Sequence, residues 1–184
     1  MINGNQEIMM NDKWGLGRIE PFWSDEYIGL IYAQEKFNNP DDLKLWKDQG
    51  YTHPDSHYTG ALCDMRNIQP TWNDKIISWF SNNQHKVYDV GTSYYRMDTG
   101  VILPVHSDTF KKYRELFRCE LSNIKRAVVF LEDWQSGHYL EIADTPVTNW
   151  KAGDYVWWFG DVEHMAANIG LADRYTLQIT GHLK

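Results

Sequence analysis

From residue 86 onward, apolar and polar positions follow the short period of strands. Segments 86–90 (KVYDV), 92–97 (TSYYRM), 100–106 (GVILPVH), 125–133 (KRAVVFLED), 138–142 (HYLEI), 154–160 (DYVWWFG) and 174–181 (RYTLQITG) are rich in β-branched and aromatic residues. Turn-forming breaks separate most of them, at Asp98-Thr99-Gly100, Gln135-Ser136-Gly137 and Lys151-Ala152-Gly153-Asp154. Seven or eight short strands of this kind predict a barrel or a sandwich. One amphipathic segment, 109–117 (TFKKYRELF), interrupts the series.

Before residue 86 the pattern is helical in tone. In 24–37 (SDEYIGLIYAQEKF), Ser24 suits an N-cap, acidic residues fill the first turn, and Tyr27, Leu30 and Ile31 follow at helical spacing. Segment 40–50 (PDDLKLWKDQG) reads as a short helix stopped by Gly50. Segment 71–83 (TWNDKIISWFSNN) places Trp72, Ile76, Trp79 and Phe80 on one stripe. Residues 51–70 have no clear period and are expected to be loop. The helices are expected to buttress one sheet of the β structure.

A length of 184 residues suits a single domain, with 1–85 as a helical and loop support region and 86–181 as the β core. The apolar share of 42% argues against disorder, and nine Trp can fill a core or line a cleft. The net charge is −7. The densest basic group, Lys111, Lys112, Arg114 and Arg118, is interleaved with Glu115 and Glu120, as on a solvated helix face. Binding to a nucleic-acid backbone is therefore not expected. Cys63 and Cys119 lack CxxC spacing and read as free thiols in a reducing compartment. No basic-then-apolar leader opens the chain and no run approaches a membrane span. A soluble cytoplasmic protein is expected, its oligomeric state left open.

The chemistry concentrates in 103–110 (LPVHSDTF). Positions i and i+2 of a strand share a face, so His106 and Asp108 can present an imidazole and a carboxylate to one point. His164, in 159–170 (FGDVEHMAANIG), follows the apolar run 155–159 and can supply a third donor from another strand. Two His and one carboxylate with open positions opposite make the facial triad of non-haem Fe(II) oxygenases. An HxD tripeptide by itself is weak, and loop residues that bind nothing are its ordinary reading. Arg174 comes ten residues after His164, with Thr176 two further on. A guanidinium fork there matches a carboxylate, although pairing with Asp173 or Asp161 is the commoner fate of such an arginine.

The order GVILPVHSD … GDYVWWFGDVEH … RYT resembles the Fe(II)- and 2-oxoglutarate-dependent dioxygenases over roughly residues 86–181. The resemblance implies a double-stranded β-helix, a jelly-roll or cupin-like barrel of eight strands with helices packed on one side. It implies His106, Asp108 and His164 as Fe(II) ligands, with Arg174 and Thr176 anchoring the distal carboxylate of 2-oxoglutarate. Tyr94, Arg96 and Asp98 fall where the family contacts co-substrate or substrate. The similarity is greatest to the aspartyl/asparaginyl and prolyl hydroxylase branches. Arg126 resembles an arginine found at a similar place in the former and is a further candidate for the co-substrate. Well-known members of that branch lack the metal-binding Asp, whereas Asp108 is present here. Asp108 also argues against a halogenase. The implied activity consumes O₂ and 2-oxoglutarate, releases succinate and CO₂, and hydroxylates an amino-acid, peptidyl or other small-metabolite substrate. The rivals are a non-catalytic cupin-like binding protein and a Zn-dependent enzyme on the same barrel; neither needs Arg174.

The other histidines lack comparable partners. His53 and His57 have i, i+4 spacing, but Pro54 makes a surface loop the expectation, with a substrate-loop role as the lesser one. His138 and His182 are expected in core or surface roles, and Gly160 and Gly170 in turns.

Overall fold

Strand parity decides the architecture. The computed structural model describes residues 7–37, 39–54, 57–63, 65, 68–83 and 85–184. Its C-terminal part contains strands β5 (Tyr88–Met97), β6 (Ile102–His106), β7 (Ile124–Phe130), β8 (His138–Ile142), β9 (Thr145–Val147), β10 (Asp154–Phe159), β11 (His164–Asn168) and β12 (Arg174–His182). The smaller sheet has the order β6-β11-β8-β9, and β10-β7-β12-β5 form the centre of the larger one, all antiparallel. The chain thus crosses repeatedly between sheets, which makes a double-stranded β-helix. The mainly β fold expected from the sequence is the fold observed.

The N-terminal region adds strands β1 (Glu7–Met9), β2 (Trp14–Arg18), β3 (Tyr32–Gln34) and β4 (Ala61–Cys63), which extend the larger sheet to β1-β2-β10-β7-β12-β5-β4-β3. The helical tone of this region misled in two places. Segment 24–37 forms only a 3₁₀ turn, Asp25–Gly29, before β3 pairs with β4. Tyr27 and Leu30 are buried as an amphipathic helix would bury them, but pairing at the sheet edge outweighs helical spacing beyond Gly29. Residues 51–70 contain β4, while Asp55, Ser56, Asp64, Arg66 and Asn67 of that stretch lie outside the described residues.

The other helices form where the sequence places them. In α1 (Pro40–Asp48) Asn39 caps the first turn, accepting from the Asp41 amide at 3.1 Å, and Gly50 lies at φ +94° just beyond the end. In α2 (Asn73–Ser81) Ile76 and Phe80 are buried against the outer face of the larger sheet. α3 (Lys111–Phe117) buries no residue and is the solvated helix its charge pattern predicts. No helix among the described residues is long and apolar enough to cross a membrane.

Alternation along β5, β7, β10 and β12 sorts side chains onto two faces. Tyr94, Ala127, Val129, Tyr155, Trp157, Leu177 and Ile179 face outward and pack on α2. Tyr95, Met97, Val128, Phe130, Val156 and Trp158 face the smaller sheet. Complete burial of large apolar side chains contributes about 1.5–3 kcal/mol each, so both layers hold the sheet.

One ion pair is sealed in the structure. Lys125 Nζ lies 2.9 Å from Glu7 Oε1 with both side chains 1% exposed, and Tyr155 and Asn83 donate to the same oxygen. Burial pulls the Lys125 ammonium below its ordinary range, against the pull of Glu7. Lys125→Met should cost about 3–5 kcal/mol in denaturant unfolding, because it strands a buried carboxylate. Adding Glu7→Leu should recover most of that loss. A double variant no more stable than the single one would show that the pair is not the cause.

Candidate metal centre

The smaller sheet builds the centre. β6 and β11 pair antiparallel with His106 opposite His164, and a bulge after His164 re-aims the ladder. The imidazole centroids are 4.3 Å apart. One ligating atom from each of His106, Asp108 and His164 falls in a group spanning no more than 4.8 Å. His106 Nδ1 bonds the Pro104 carbonyl and His164 Nδ1 the Val162 carbonyl, each at 2.9 Å. A carbonyl only accepts, so both Nδ1 atoms carry the hydrogen and Nε2 is the ring nitrogen of each that is left to face a metal.

Protonation favours ligation as well. Burial, aided by His106 and opposed by Asp108, pulls His164 down to about 4, so it is neutral at neutral pH. Burial pushes the Asp108 carboxyl up, but Arg126 and the two imidazoles outweigh it and hold it below the usual range. Two imidazole nitrogens and one carboxylate fit a divalent first-row metal with open positions. Asp108 lies beyond the end of β6. Its loop is fixed by Ser107 Oγ donating to the Asp161 carbonyl at 2.9 Å and by buried Phe110 at φ +47°.

A cavity of about 290 Å³ opens on this trio and is lined also by Arg126, Arg174, Thr176, Tyr95, Gln178 and Trp158. Arg174 Nη1 donates to the Tyr139 carbonyl at 2.7 Å, and its buried Nε has no partner. Burial pulls Arg174 down to about 10, which still leaves a cation at neutral pH. Thr176 is buried two positions along the same strand face. Arg126, on β7, has Nε 3.8 Å from Asp108 Oδ2, donates Nη1 to Gln178 Oε1 at 2.7 Å, and stacks its Cζ 4.8 Å from the Phe110 ring.

The structure turns Tyr94 away from the cavity. Its hydroxyl donates to Asn73 Oδ1 at 3.1 Å among the outward-facing residues, and Tyr95 stands at the cavity instead. The reason is parity: neighbouring residues of a strand face opposite ways. Arg96 and Asp98 pair with each other at 2.6 Å and do not line the cavity. Neither do His53, half-buried near Tyr58, and exposed His57. His138 bonds the Ala172 carbonyl at 3.0 Å, and His182 lies between Tyr113 and Asp89. Gly160 takes φ +65° in a turn, while Gly170 allows a close approach: a Cβ there would meet the Ser136 carbonyl at 2.3 Å. Neither Cys63 nor Cys119 forms a disulfide.

Several lining residues lie in regions read only as support: Glu35, Lys36, Phe37, Thr59 and Leu62. No local motif marks them. Gln178 was findable, because alternation puts it on the face of Arg174 and Thr176.

No family model and no curated protein matches the chain. Among solved structures it is similar to a Pseudomonas putida prolyl-4-hydroxylase, with 18% identity and a TM-score of 0.52 over 87% of this chain and 96% of that one. It is also similar to viral collagen prolyl hydroxylase from Paramecium Bursaria Chlorella virus-1 in its 2OG complex, with 11% identity and a TM-score of 0.50 over 92% of this chain and 96% of that one. A predicted oxalate decarboxylase from Thermotoga maritima superimposes less well, at a TM-score of 0.40 and 12% identity over 67% and 80% of the two chains. The two hydroxylase likenesses show the fold, a double-stranded β-helix, over most of this chain.

Burial holds His85 and His138 below the ordinary imidazole range, as it does His164. Each therefore binds a proton less readily folded than unfolded, where the ordinary value is about 6.5. The unfolded state then binds more protons below that pH, and stability falls on acidification. The melting temperature of metal-free protein should drop as pH falls from about 7 to about 5.5, and His138→Gln should make that slope shallower. A melting temperature constant over this range would mean that these rings are solvated.

Proposed function

We propose that the protein is an Fe(II)- and 2-oxoglutarate-dependent oxygenase that hydroxylates an amino-acid, peptidyl or other small-metabolite substrate. One observation carries this reading: a two-imidazole, one-carboxylate donor set shares a small cavity with a buried arginine whose Nε is unpartnered. His106, Asp108 and His164 would hold the metal, leaving positions open to co-substrate and O₂. Bound iron supplies the oxygen chemistry, with 2-oxoglutarate giving succinate and CO₂.

The chain's own part is binding, orientation and exclusion of water. Arg174 offers its free Nε to the far carboxylate of 2-oxoglutarate, and Thr176 adds a hydroxyl donor. The Tyr95 hydroxyl accepts from the Gly60 amide and lies 3.3 Å from Thr59 Oγ1, and both side chains line the cavity. Phe37, Leu103, Val128, Leu140 and Trp158 give the remaining wall an apolar surface. Metal binding alone, or Zn-dependent hydrolysis, gives no use for a buried carboxylate anchor such as Arg174.

His106→Ala, Asp108→Ala and His164→Ala should each abolish iron-dependent succinate formation with the fold retained by circular dichroism. Near-normal turnover of any of them at limiting iron would sink the donor assignment.

Arg174→Ala should weaken 2-oxoglutarate about ten- to a hundredfold, the worth of a charge-assisted hydrogen bond, with Fe(II) binding little changed. Arg174→Lys should recover only part, since an ammonium lacks the fork. The readout is the absorption band of anaerobic Fe(II) protein titrated with 2-oxoglutarate. Unchanged affinity in the Ala variant would favour a metal-binding barrel without this co-substrate.

A further inference from the structure

We infer that Arg126 recognises the primary substrate, which carries a carboxylate near the carbon that reacts. This deepens the oxygenase reading and rests on it. The argument is a count of charge. The cavity is lined by the cations Lys36, Arg126 and Arg174 and by the anions Glu35 and Asp108. Lys36 and Glu35 are exposed. Asp108, Arg126 and Arg174 are the charges that water screens least.

Without ligands, Arg126 is balanced by Asp108, but poorly. The 3.8 Å separation is too long for a hydrogen bond, and Nε is buried without a partner. A divalent metal would take up the charge of Asp108. The dication, Asp108 and the two carboxylates of 2-oxoglutarate then sum to one negative charge, which Arg174 cancels. Arg126, only 17% exposed, is left as an uncompensated cation. Such a group is costly unless an anion meets it.

Its supports orient it without neutralising it. Gln178 holds Nη1 through a neutral amide oxygen, and Phe110 stacks on the guanidinium. Arg18 and Arg96, by contrast, are directly paired with Asp154 and Asp98, at 2.8 and 2.6 Å. The position also separates Arg126 from Arg174. Arg126 lies opposite Thr180 of β12, six residues beyond Arg174, which is roughly 20 Å along the strand. One guanidinium offsets one monoanion, and about 290 Å³ shared with a co-substrate leaves room for a small group. A carboxylate fits these limits better than a phosphate dianion.

The test uses Fe(II) protein with 2-oxoglutarate under anaerobic conditions. It is titrated with matched pairs in which the amide member has no carboxylate: aspartate and asparaginamide, glutamate and glutaminamide, proline and prolinamide. Binding is read as a perturbation of the iron–keto-acid absorption band, and succinate release is then followed in air. At least one acid should bind about tenfold or more tightly than its amide. Arg126→Gln should erase the preference while 2-oxoglutarate affinity stays unchanged, and Arg126→Lys should restore part of it. If Arg126→Gln fails to match the wild-type melting temperature, Gln178→Leu, which frees the guanidinium, should blunt the preference instead.

Equal binding of acids and amides, or no binding by any acid, overturns the inference. Weakened 2-oxoglutarate binding in Arg126→Gln overturns it too, by making Arg126 a co-substrate contact. A wild type that shows no absorption band with 2-oxoglutarate alone overturns the oxygenase reading and this inference with it. That failure is told apart because it precedes addition of any acid.

Discussion

The pairing of β6 with β11 is the constraint from which the site follows. His106 and His164 face each other across that ladder, so a slip of one residue would send one imidazole to the opposite face. The ladder fixes two donors and leaves the third to a loop. Asp108 stays in place because Ser107 is tied to the Asp161 carbonyl and Phe110 is buried in a left-handed conformation. Such backbone strain costs on the order of 1–3 kcal/mol and survives only where the surroundings over-determine it. Here the Phe110 ring also carries Arg126, so the strained residue organises both charges beside the proposed metal.

The larger sheet divides its labour by parity. Its outward face is apolar and aromatic and packs on α2. Its inward face mixes apolar residues with Arg126, Arg174, Thr176 and Gln178 around the cavity. Buried donors without partners, such as Arg174 Nε, each cost stability. The outer layer offsets that cost with Trp157, Tyr155, Leu177 and Ile179 at 0–2% exposure. The same strands therefore carry a stabilising core on one side and an unsatisfied, ligand-ready surface on the other.

What could be read from the sequence divides along the same physical line. The strand-rich C-terminal part was legible because alternation is local. His106, Asp108, His164 and Arg174 are singled out by spacing and by the family resemblance, and the structure gathers them about one cavity. The choice between Tyr94 and Tyr95 was not, since it turns on absolute parity, which periodicity leaves open until the pairing is known. The link from Arg126 to Gln178 spans 52 positions and has no sequence signature. Segment 24–37 defeated propensity because Tyr32–Gln34 finds a partner in Ala61–Cys63, a contact that no window of that length contains.

The N-terminal region is part of the site as well as a support for it. The Gly60 amide donates to the Tyr95 hydroxyl, and a Cβ at Gly60 would meet the Arg96 carbonyl at 2.2 Å and the Tyr95 ring at 2.8 Å. Only glycine permits that approach. The Glu35 amide in turn donates to the Gly60 carbonyl, so the segment carrying Glu35, Lys36 and Phe37 is tied to the tyrosine facing Thr176. On the other side, the Phe37 ring lies tilted 4.5 Å from Trp46 and meets His106 edge-on at 5.7 Å, while Trp46 of α1 donates to the Val105 carbonyl of β6. The cavity mouth is thereby fixed at once to the proposed metal strand and to the proposed co-substrate end. A change at Phe37, Trp46 or Gly60 should therefore reach both, although none of these three residues would carry the chemistry.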